Sequence, residues 1–465
     1  MVNDMTRPGI KVDTVVIGAG LTGLTASFYL ARSGADFITI DLQERPGGVI
    51  RSHREGGFLF ESGPNTGIIG QPEVVELFDE LRGEVEPAIA NQAVNTRLIL
   101  KNGRWEPLPS GPVSAIRTPL FSLRDKIRIL AEPFRPAGKN PDEKLSELVL
   151  RRMGPSFLDY AIDPFILGVY SGDPAQLVTR HAFPKLYQLE QNYGSFIGGA
   201  IRKKFKKKDE RDKLATREVF SVKGGLERLV EVLYQRSGPE HFRLGFNQVE
   251  VHPDGSGLVV TTTDPAGNRE EIEARNVITT TGAHTLPALF PFMSLEERGA
   301  FEAIRYAPVV EVALGFDRWE APQPQAFGGL IPSRENRELL GILFPSSFLA
   351  GRAPEDGALL TIFMGGIRNP KWLEASDEEI RSTVEREVTD LMQLSRFEPS
   401  LFRIFRHRWA IPQYGPESDE KILIIDRLMD RNPGLLIGGN LKDGIGMADR
   451  IRQGRQLAET VIRRS

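Results

Sequence analysis

Between Val15 and Gly34 the chain reads VVIGAGLTGLTASFYLARSG, three glycines spaced G-x-G-x-x-G between two apolar patterns. Val12, Val15, Val16 and Ile17 form the β-branched run that a strand buried in a parallel sheet requires. Leu21, Leu24, Phe28 and Leu30 then recur at helical spacing as far as Gly34, a residue suited to a helix C-terminus. ADFITID supplies a second strand ending at Asp41. The three pieces make a βαβ unit, which commits the chain to an α/β fold.

Each residue of the loop has a physical task. Gly18 permits the sharp turn, Gly20 lets backbone N–H groups approach a pyrophosphate, and Gly23 lets helix and strand pack closely. The helix N-terminus favours the negative charge. Asp41 lies eighteen residues beyond Gly23, near the roughly 20 at which an acid accepts ribose hydroxyls and disfavours a 2′-phosphate. A dinucleotide site is expected; the loop alone leaves nicotinamide and flavin both open.

With 465 residues and 40% hydrophobic content, the chain can bury the cores of two or three domains. Lys+Arg 59 against Asp+Glu 62 leaves a net charge of -3, which gives no reason to expect nucleic acid. The absence of cysteine excludes disulfides, thiolate zinc sites, cysteine nucleophiles and a thioether link to a cofactor. MVNDMTRPGI lacks the apolar core of a secretory signal, and no apolar run is long enough to span a bilayer. A cytoplasmic protein, at most peripheral on the cytoplasmic membrane, is expected. His53, His181, His241, His252, His284 and His407 are scattered without ligand spacing and read as structural or surface residues, and no metal is expected.

DLQERPGGVIRSHREGGFLFESGPNTG follows the second strand, with Gly47, Gly48, Arg51, Glu61, Gly63 and Pro64. Far downstream come FSVKGGLERLVEVL with NQVEVH, and GLLIGGNLKDGIGMADRIRQGRQLAETVIRR, a strand from Leu435 to Ile437, a glycine loop and a helix from about Met447. These segments resemble the flavin amine oxidase superfamily. The resemblance implies a resident, non-covalent FAD in a Rossmann-like domain of the amine oxidase/PHBH type, with a mixed-sheet substrate domain and a helical insertion. The implied division is 1–90, 215–292 and 408–465 for the FAD domain, 91–109 and 293–407 for the substrate domain, and 110–214 for the helical insertion. Implied FAD contacts are Gly18, Gly20, Leu21, Thr22, Gly23, Asp41, Leu42, Arg45, Gly47, Gly48, Gly63, Pro64 and Asn65 in the first segment. Val249 (at the adenine), Thr280, Trp409, Gly439, Asn440, Gly446, Met447 and Ala448 complete the set. Asp41 stands where the superfamily usually has Glu, and Ala448 and Arg450 also depart from many relatives.

Residues 167 to 201, LGVYSGDPAQLVTRHAFPKLYQLEQNYGSFIGGAI, are similar to the protoporphyrinogen oxidase family, as are RLILKNGRWEPLP and RWAIPQY. The resemblance implies that a porphyrinogen loses hydride from its methylene bridges to flavin N5 in three two-electron oxidations, with oxygen or another electron acceptor reoxidising the flavin. Gly168 would let the reacting carbon approach; Arg97 would pair with a propionate; Leu330, Leu340, Phe344 and Met364 would line the macrocycle pocket. By composition alone Arg97 is an ordinary surface residue and the four apolar residues are ordinary core. No general-base dyad is required by the family chemistry, and none stands out.

Protoporphyrinogen IX is the favoured substrate, coproporphyrinogen III its rival. A flavin amine oxidase is the next reading, although Trp409 offers only one wall of the two-aromatic cage such enzymes use. A flavin-fold protein that binds without turnover is disfavoured by the glycines kept at both ends. The resemblance further implies membrane contact through the helical insertion, where FSLRDKIRILAEPF alternates apolar and basic residues, and product hand-over to a ferrochelatase. The run RKKFKKKDERDK, Arg202 to Lys213, is open to two readings, a patch that meets anionic lipid heads or guides a carboxylated substrate, and a solvated helix end or loop, which the interrupting Asp209, Glu210 and Asp212 favour. The sequence leaves oligomeric state open.

Overall fold

The computed structural model describes residues 9–204, 209–255 and 257–464. Its first sheet has seven strands, with Ile10–Ile17 running parallel between Phe37–Asp41 and Arg269–Thr279. Phe242–Leu244 closes one edge, Gly257–Thr263 and Asn247–Asp254 extend the other antiparallel, and Leu435–Ile437 pairs parallel with the end of Arg269–Thr279. Val15, Val16 and Ile278 are fully enclosed, as strands covered on both faces require. The helix Leu21–Ser33 ends where Gly34 turns left-handed at φ 73° and its N–H meets the carbonyls of Leu30 and Ala31. Against this helix packs Met447–Ile462, from the other end of the chain.

The second sheet also has seven strands, ordered Leu401–Pro412, Tyr306–Phe316, Ala358–Gly365, Leu339–Leu343, Gly328–Leu330, Arg97–Lys101 and Arg104–Pro107. All pairs are antiparallel except Gly328–Leu330 with Arg97–Lys101, so the sheet is mixed. The boundary expected between residues 407 and 408 falls inside the strand Leu401–Pro412. The helix Asp377–Met392 covers one face of this sheet, its Ile380, Val384, Val388 and Leu391 packing with Val310, Val312, Leu360, Ile362 and Met364. Successive strand residues point to opposite faces, so Val309, Glu311 and Phe363 face away from that helix.

Short helices occupy residues 112–204, around Leu145, Leu148, Val149, Ile166 and Phe196. Arg152 is fully buried there, its guanidinium donating to Glu132 at 2.6 Å, Glu190 at 2.7 Å and the Gly194 carbonyl at 2.7 Å. Such a charge tolerates burial only because each N–H finds an acceptor. The helix Leu123–Leu130 has no buried residue. The basic run from Arg202 to Lys213 lies partly outside the described residues. Among the described residues, no helix is long and apolar enough to cross a membrane, and no group of His, Asp and Glu could hold a metal.

Candidate active site

Three distant segments meet where the first sheet ends. The Gly18 N–H donates to the Ile40 carbonyl at 2.8 Å and the Gly47 N–H to the Ala19 carbonyl at 2.7 Å, pinning the first loop to the second. A Cβ on Gly23 would lie 1.8 Å from the Gly18 carbonyl oxygen, so no other residue fits between loop and helix. A Cβ on Gly20 would meet no protein atom within 4 Å. Packing therefore does not demand glycine at 20; the open space in front of the loop is what its missing side chain preserves. The third segment brings the N-terminus of Met447–Ile462 to the same place, with Gly446 and Met447 in the wall.

Between the segments lies a cavity of ≈ 470 Å³, mostly apolar. Of the expected residues, Gly20, Leu21, Thr22, Gly47, Gly63, Pro64, Gly168, Thr280, Gly439, Asn440, Gly446 and Met447 line it. A second cavity of ≈ 680 Å³ lies along the outer strands and contains Leu42 and Val249 with Ile17, Thr281 and His284. The loop from Ile17 to Thr22 thus contributes to both.

Asp41 accepts the Ala19 N–H at 2.5 Å and the Gln43 N–H at 2.8 Å, while burial pushes its pKa above the usual carboxylate value. Gly18 and Gly23 sit within the turn, and Gly48 stacks on Gly20. Arg45 donates to the carbonyls of Pro46, Gly48 and Ile50, stapling its own loop and leaving the cavity wall to others. Asn65 is buried, donating from Nδ2 to Glu311 Oε1 at 2.7 Å and accepting from Thr361 Oγ1 at 3.0 Å. Ala448 packs into the core around Leu21 and Ile69.

Several of the expected residues lie outside this cavity. Trp409 is 52% exposed and stacks on His284, ring centroids 4.6 Å apart, outside the cavity. Val309 pairs with His407 and Ala307 with Ile411, so Arg408 to Ala410 bulge opposite Pro308, which has no N–H to donate. That bulge turns Trp409 outward and Ala410 inward. Met364 and Phe344 belong to the core under the helix Asp377–Met392, on the opposite face of the sheet; Phe363 is the cavity residue of that strand. Leu340 is buried without reaching the cavity. Leu330 backs Gly168 from outside the wall: a Cβ on Gly168 would come within 2.3 Å of Leu330 Cδ2. Arg97 is also absent from the wall and sits over the Phe327 ring at 5.5 Å, burial pushing its pKa down. Among the described residues no carboxylate pairs with it, and desolvation alone shifts its pKa.

Wall residues not expected at the site include Val309, Glu311, Phe363, His407 and Arg450. Glu311 had a signal in the sequence, a lone acid inside the apolar strand YAPVVEVALGF. It is 1% exposed, and burial pushes its pKa up to about 8. His407, read from the sequence as structural or surface, stands 3.9 Å from Glu311 Oε2, with burial pushing its pKa below the usual value. Arg450 is buried, bonded to the carbonyls of Gly439 and Lys442 and to Gln453 Oε1, with its Nε unpartnered.

These residues fit a flavin dinucleotide. Asn440 Oδ1 and Arg450 Nε are buried polar atoms facing the site without a protein partner. The guanidinium and the helix N-terminus both favour an anion. A parallel-sheet cradle opening onto an apolar chamber walled by a second sheet is the architecture of a flavoprotein oxidoreductase. The chain belongs to the flavin-containing amine oxidoreductase family, whose model matches residues 21–462, and it is an FAD-dependent oxidoreductase. It is 30% identical to the mitochondrial protoporphyrinogen oxidase of Nicotiana tabacum, over 96% of this chain and 94% of that one. It is 26% identical to the coproporphyrinogen III oxidase of Bacillus subtilis (strain 168), over 96% and 97%. A solved chain from Exiguobacterium sp. 255-15 superposes with TM-score 0.81 at 23% identity, covering 98% of this chain and 100% of that one.

Proposed function

We propose that the protein oxidises a porphyrinogen to the porphyrin in haem synthesis, with protoporphyrinogen IX as the favoured substrate and coproporphyrinogen III as the rival. The observation that carries this reading is the position of Gly168. It belongs to the LGVYSGDP run and lies in the wall of the same cavity as the dinucleotide loop, with Val169 and Ser171 beside it. The names of the relatives, matched over nearly the whole chain, support the same substrate class.

Bound FAD supplies the two-electron acceptor, reoxidised by oxygen or another acceptor. The chain's residues would hold it, the 18–23 loop and the start of Met447–Ile462 at the pyrophosphate and ring, Asp41 at the ribose, Leu42 and Val249 at the adenine. The chamber lined by Val49, Ile50, Val309, Phe363, Ile411 and Ile445 excludes water and presents an apolar slot to an oily macrocycle. Gly168, whose missing Cβ makes room for Leu330, leaves only backbone as wall at this point of the chamber, and orienting a methylene bridge there against the cofactor would lower most of the barrier. Arg97, a desolvated cation with no carboxylate partner among the described residues, suits a propionate arm.

The helical segment supports peripheral membrane contact. Val113, Ile116, Leu123, Ile127, Leu130 and Phe134 are each at least 60% exposed, with Arg117 and Arg124 beside them. Such a surface would draw an apolar substrate from a bilayer, and hand product on to a ferrochelatase.

The test is anaerobic stopped-flow mixing of the yellow protein with protoporphyrinogen IX, coproporphyrinogen III and benzylamine. Rapid flavin bleaching by one porphyrinogen, with porphyrin fluorescence on admitting oxygen, is expected. Bleaching by benzylamine alone would make the protein an amine oxidase, and no bleaching by any of the three a silent flavin binder.

A further inference from the structure

Oxidising a porphyrinogen to the porphyrin removes six hydrogens, four from the methylene bridges and two from pyrrole nitrogens, as three hydride equivalents and three protons; in two of the three steps a hydride equivalent leaves carbon and a proton leaves a pyrrole nitrogen. The cofactor takes the first; the second needs a base. Among the described residues of the cavity wall, only Glu311, His407 and Arg450 are ionisable. Arg450 has no lone pair to offer. His407 and Glu311 come from adjacent strands, in register positions His407 to Val309 and Phe405 to Glu311, and the pleat turns both toward the chamber. His407 Nε2 is buried and makes no hydrogen bond, standing 3.9 Å from Glu311 Oε2. Glu311 cannot turn away: Asn65 Nδ2 holds its Oε1 at 2.7 Å, and Thr361 Oγ1 holds Asn65 in turn.

The 3.9 Å separation is too long for a hydrogen bond, so the carboxyl does not occupy the imidazole nitrogen. Here the nitrogen is left open beside the substrate space. We propose that His407 is the base that receives the pyrrole proton, with Glu311, fixed by Asn65, as the positioning group behind it. The proposal rests on the porphyrinogen reading. The pyrrole N–H bond breaks and an N–H bond forms at His407 Nε2. The electron pair of the broken bond stays on the macrocycle and completes a C=N double bond, as the neighbouring methylene carbon loses its hydride equivalent to bound FAD. The macrocycle is oxidised, the flavin reduced, and the imidazolium returns its proton to water before the next oxidation.

The electrostatic surroundings agree. Burial holds Glu311 protonated up to about 8 and His407 neutral to below its ordinary value, so at neutral pH the imidazole is free to accept. Glu61, whose charge raises Glu311 further, is itself paired with Arg352 at 2.8 Å. Arg406 and Arg408, beside His407 in its strand, are paired outward with Asp377 and Glu374. His53, across Phe405, is bonded to Ser62. Among the described residues no lysine or arginine comes within ion-pair distance of Glu311 or His407.

The test compares wild type, H407Q and E311Q in anaerobic single turnovers with both porphyrinogens from about pH 5 to about pH 9. Wild-type bleaching should rise once as His407 deprotonates and again near pH 8, where the new Glu311 carboxylate makes His407 more basic. H407Q should be slower by about a hundredfold or more and lose the acid limb, with flavin content unchanged. E311Q should keep the acid limb and lose the one near pH 8. Imidazole NMR of histidine-labelled protein gives a readout independent of turnover: the signal missing in H407Q should titrate below the ordinary histidine value and lose its second inflection in E311Q. An H407Q protein with wild-type rate and pH profile overturns the proposal alone. A wild-type flavin bleached by neither porphyrinogen overturns the substrate reading with it. Should H407Q fail to hold flavin, E311Q decides, and an unaltered limb near pH 8 counts against the pair.

Discussion

The two seven-stranded sheets of this protein build their halves of the site by different means. The parallel sheet contributes backbone: glycines, strand ends and helix N-termini that leave room for a ligand. The mixed sheet contributes side chains, and which ones depends on which residue of each strand faces the chamber. On the first sheet a wrong residue removes space; on the second, a neighbouring residue belongs to another environment altogether.

The sharpest break of the first half is Gly23→Ala. With a Cβ directed at the Gly18 carbonyl, loop and helix must part, a strain of about 3 kcal/mol. The purified protein should be largely colourless, read as the flavin-to-protein absorbance ratio. The second half is tested by neighbours on one strand. Met364→Ala should destabilise by about 2–5 kcal/mol in urea unfolding, since it empties core under the helix Asp377–Met392. Phe363→Ala should cost about 1 kcal/mol or less and act on porphyrinogen KM instead. Equal stability losses would erase the distinction between the two faces.

A graded effect, spread over several pH units, lies in the pH dependence of stability. Burial raises the Glu311 pKa from its ordinary 4.5 to about 8, so the neutral acid is the favoured form in the folded state. Its contribution is whole below about pH 4.5 and is lost as pH rises to about 8, at about 1.4 kcal/mol per pH unit. Glu311→Gln should remove that slope from the unfolding free energy; parallel curves would show the carboxyl to be ionised throughout. The smallest effect is expected of Trp409→Phe: below about 0.5 kcal/mol, with the flavin absorption spectrum unshifted.

The same contrast governs how much could be read in advance. Gly20, Gly23, Gly47, Gly63 and Gly446 were legible because backbone clearance restricts residue type, leaving a trace in the sequence. The strand Ala358–Gly365 offers no such trace: Ile362, Phe363 and Met364 are all apolar, and the chamber's residue among them is selected only by register against Tyr306–Phe316. The orientation of Trp409 left no trace for a related reason, since the bulge opposite Pro308 resets the alternation just before it. His407 was legible only as a scattered histidine. Glu311 was missed as well, although it alone among these side chains carries a signal, an acid where the strand pattern asks for an apolar residue.

The pairing of the helix Met447–Ile462 with Leu21–Ser33 has a consequence in time. Strand Phe37–Asp41 and strand Leu435–Ile437 are 394 residues apart (435 minus 41), and a ribosome covers that distance in roughly 20 to 80 s. Throughout that interval the glycine loop exists without the segment that finishes it. Flavin binding that uses the start of Met447–Ile462 would therefore follow synthesis of that helix, and the flavin content of a preparation would report whether it was made and docked.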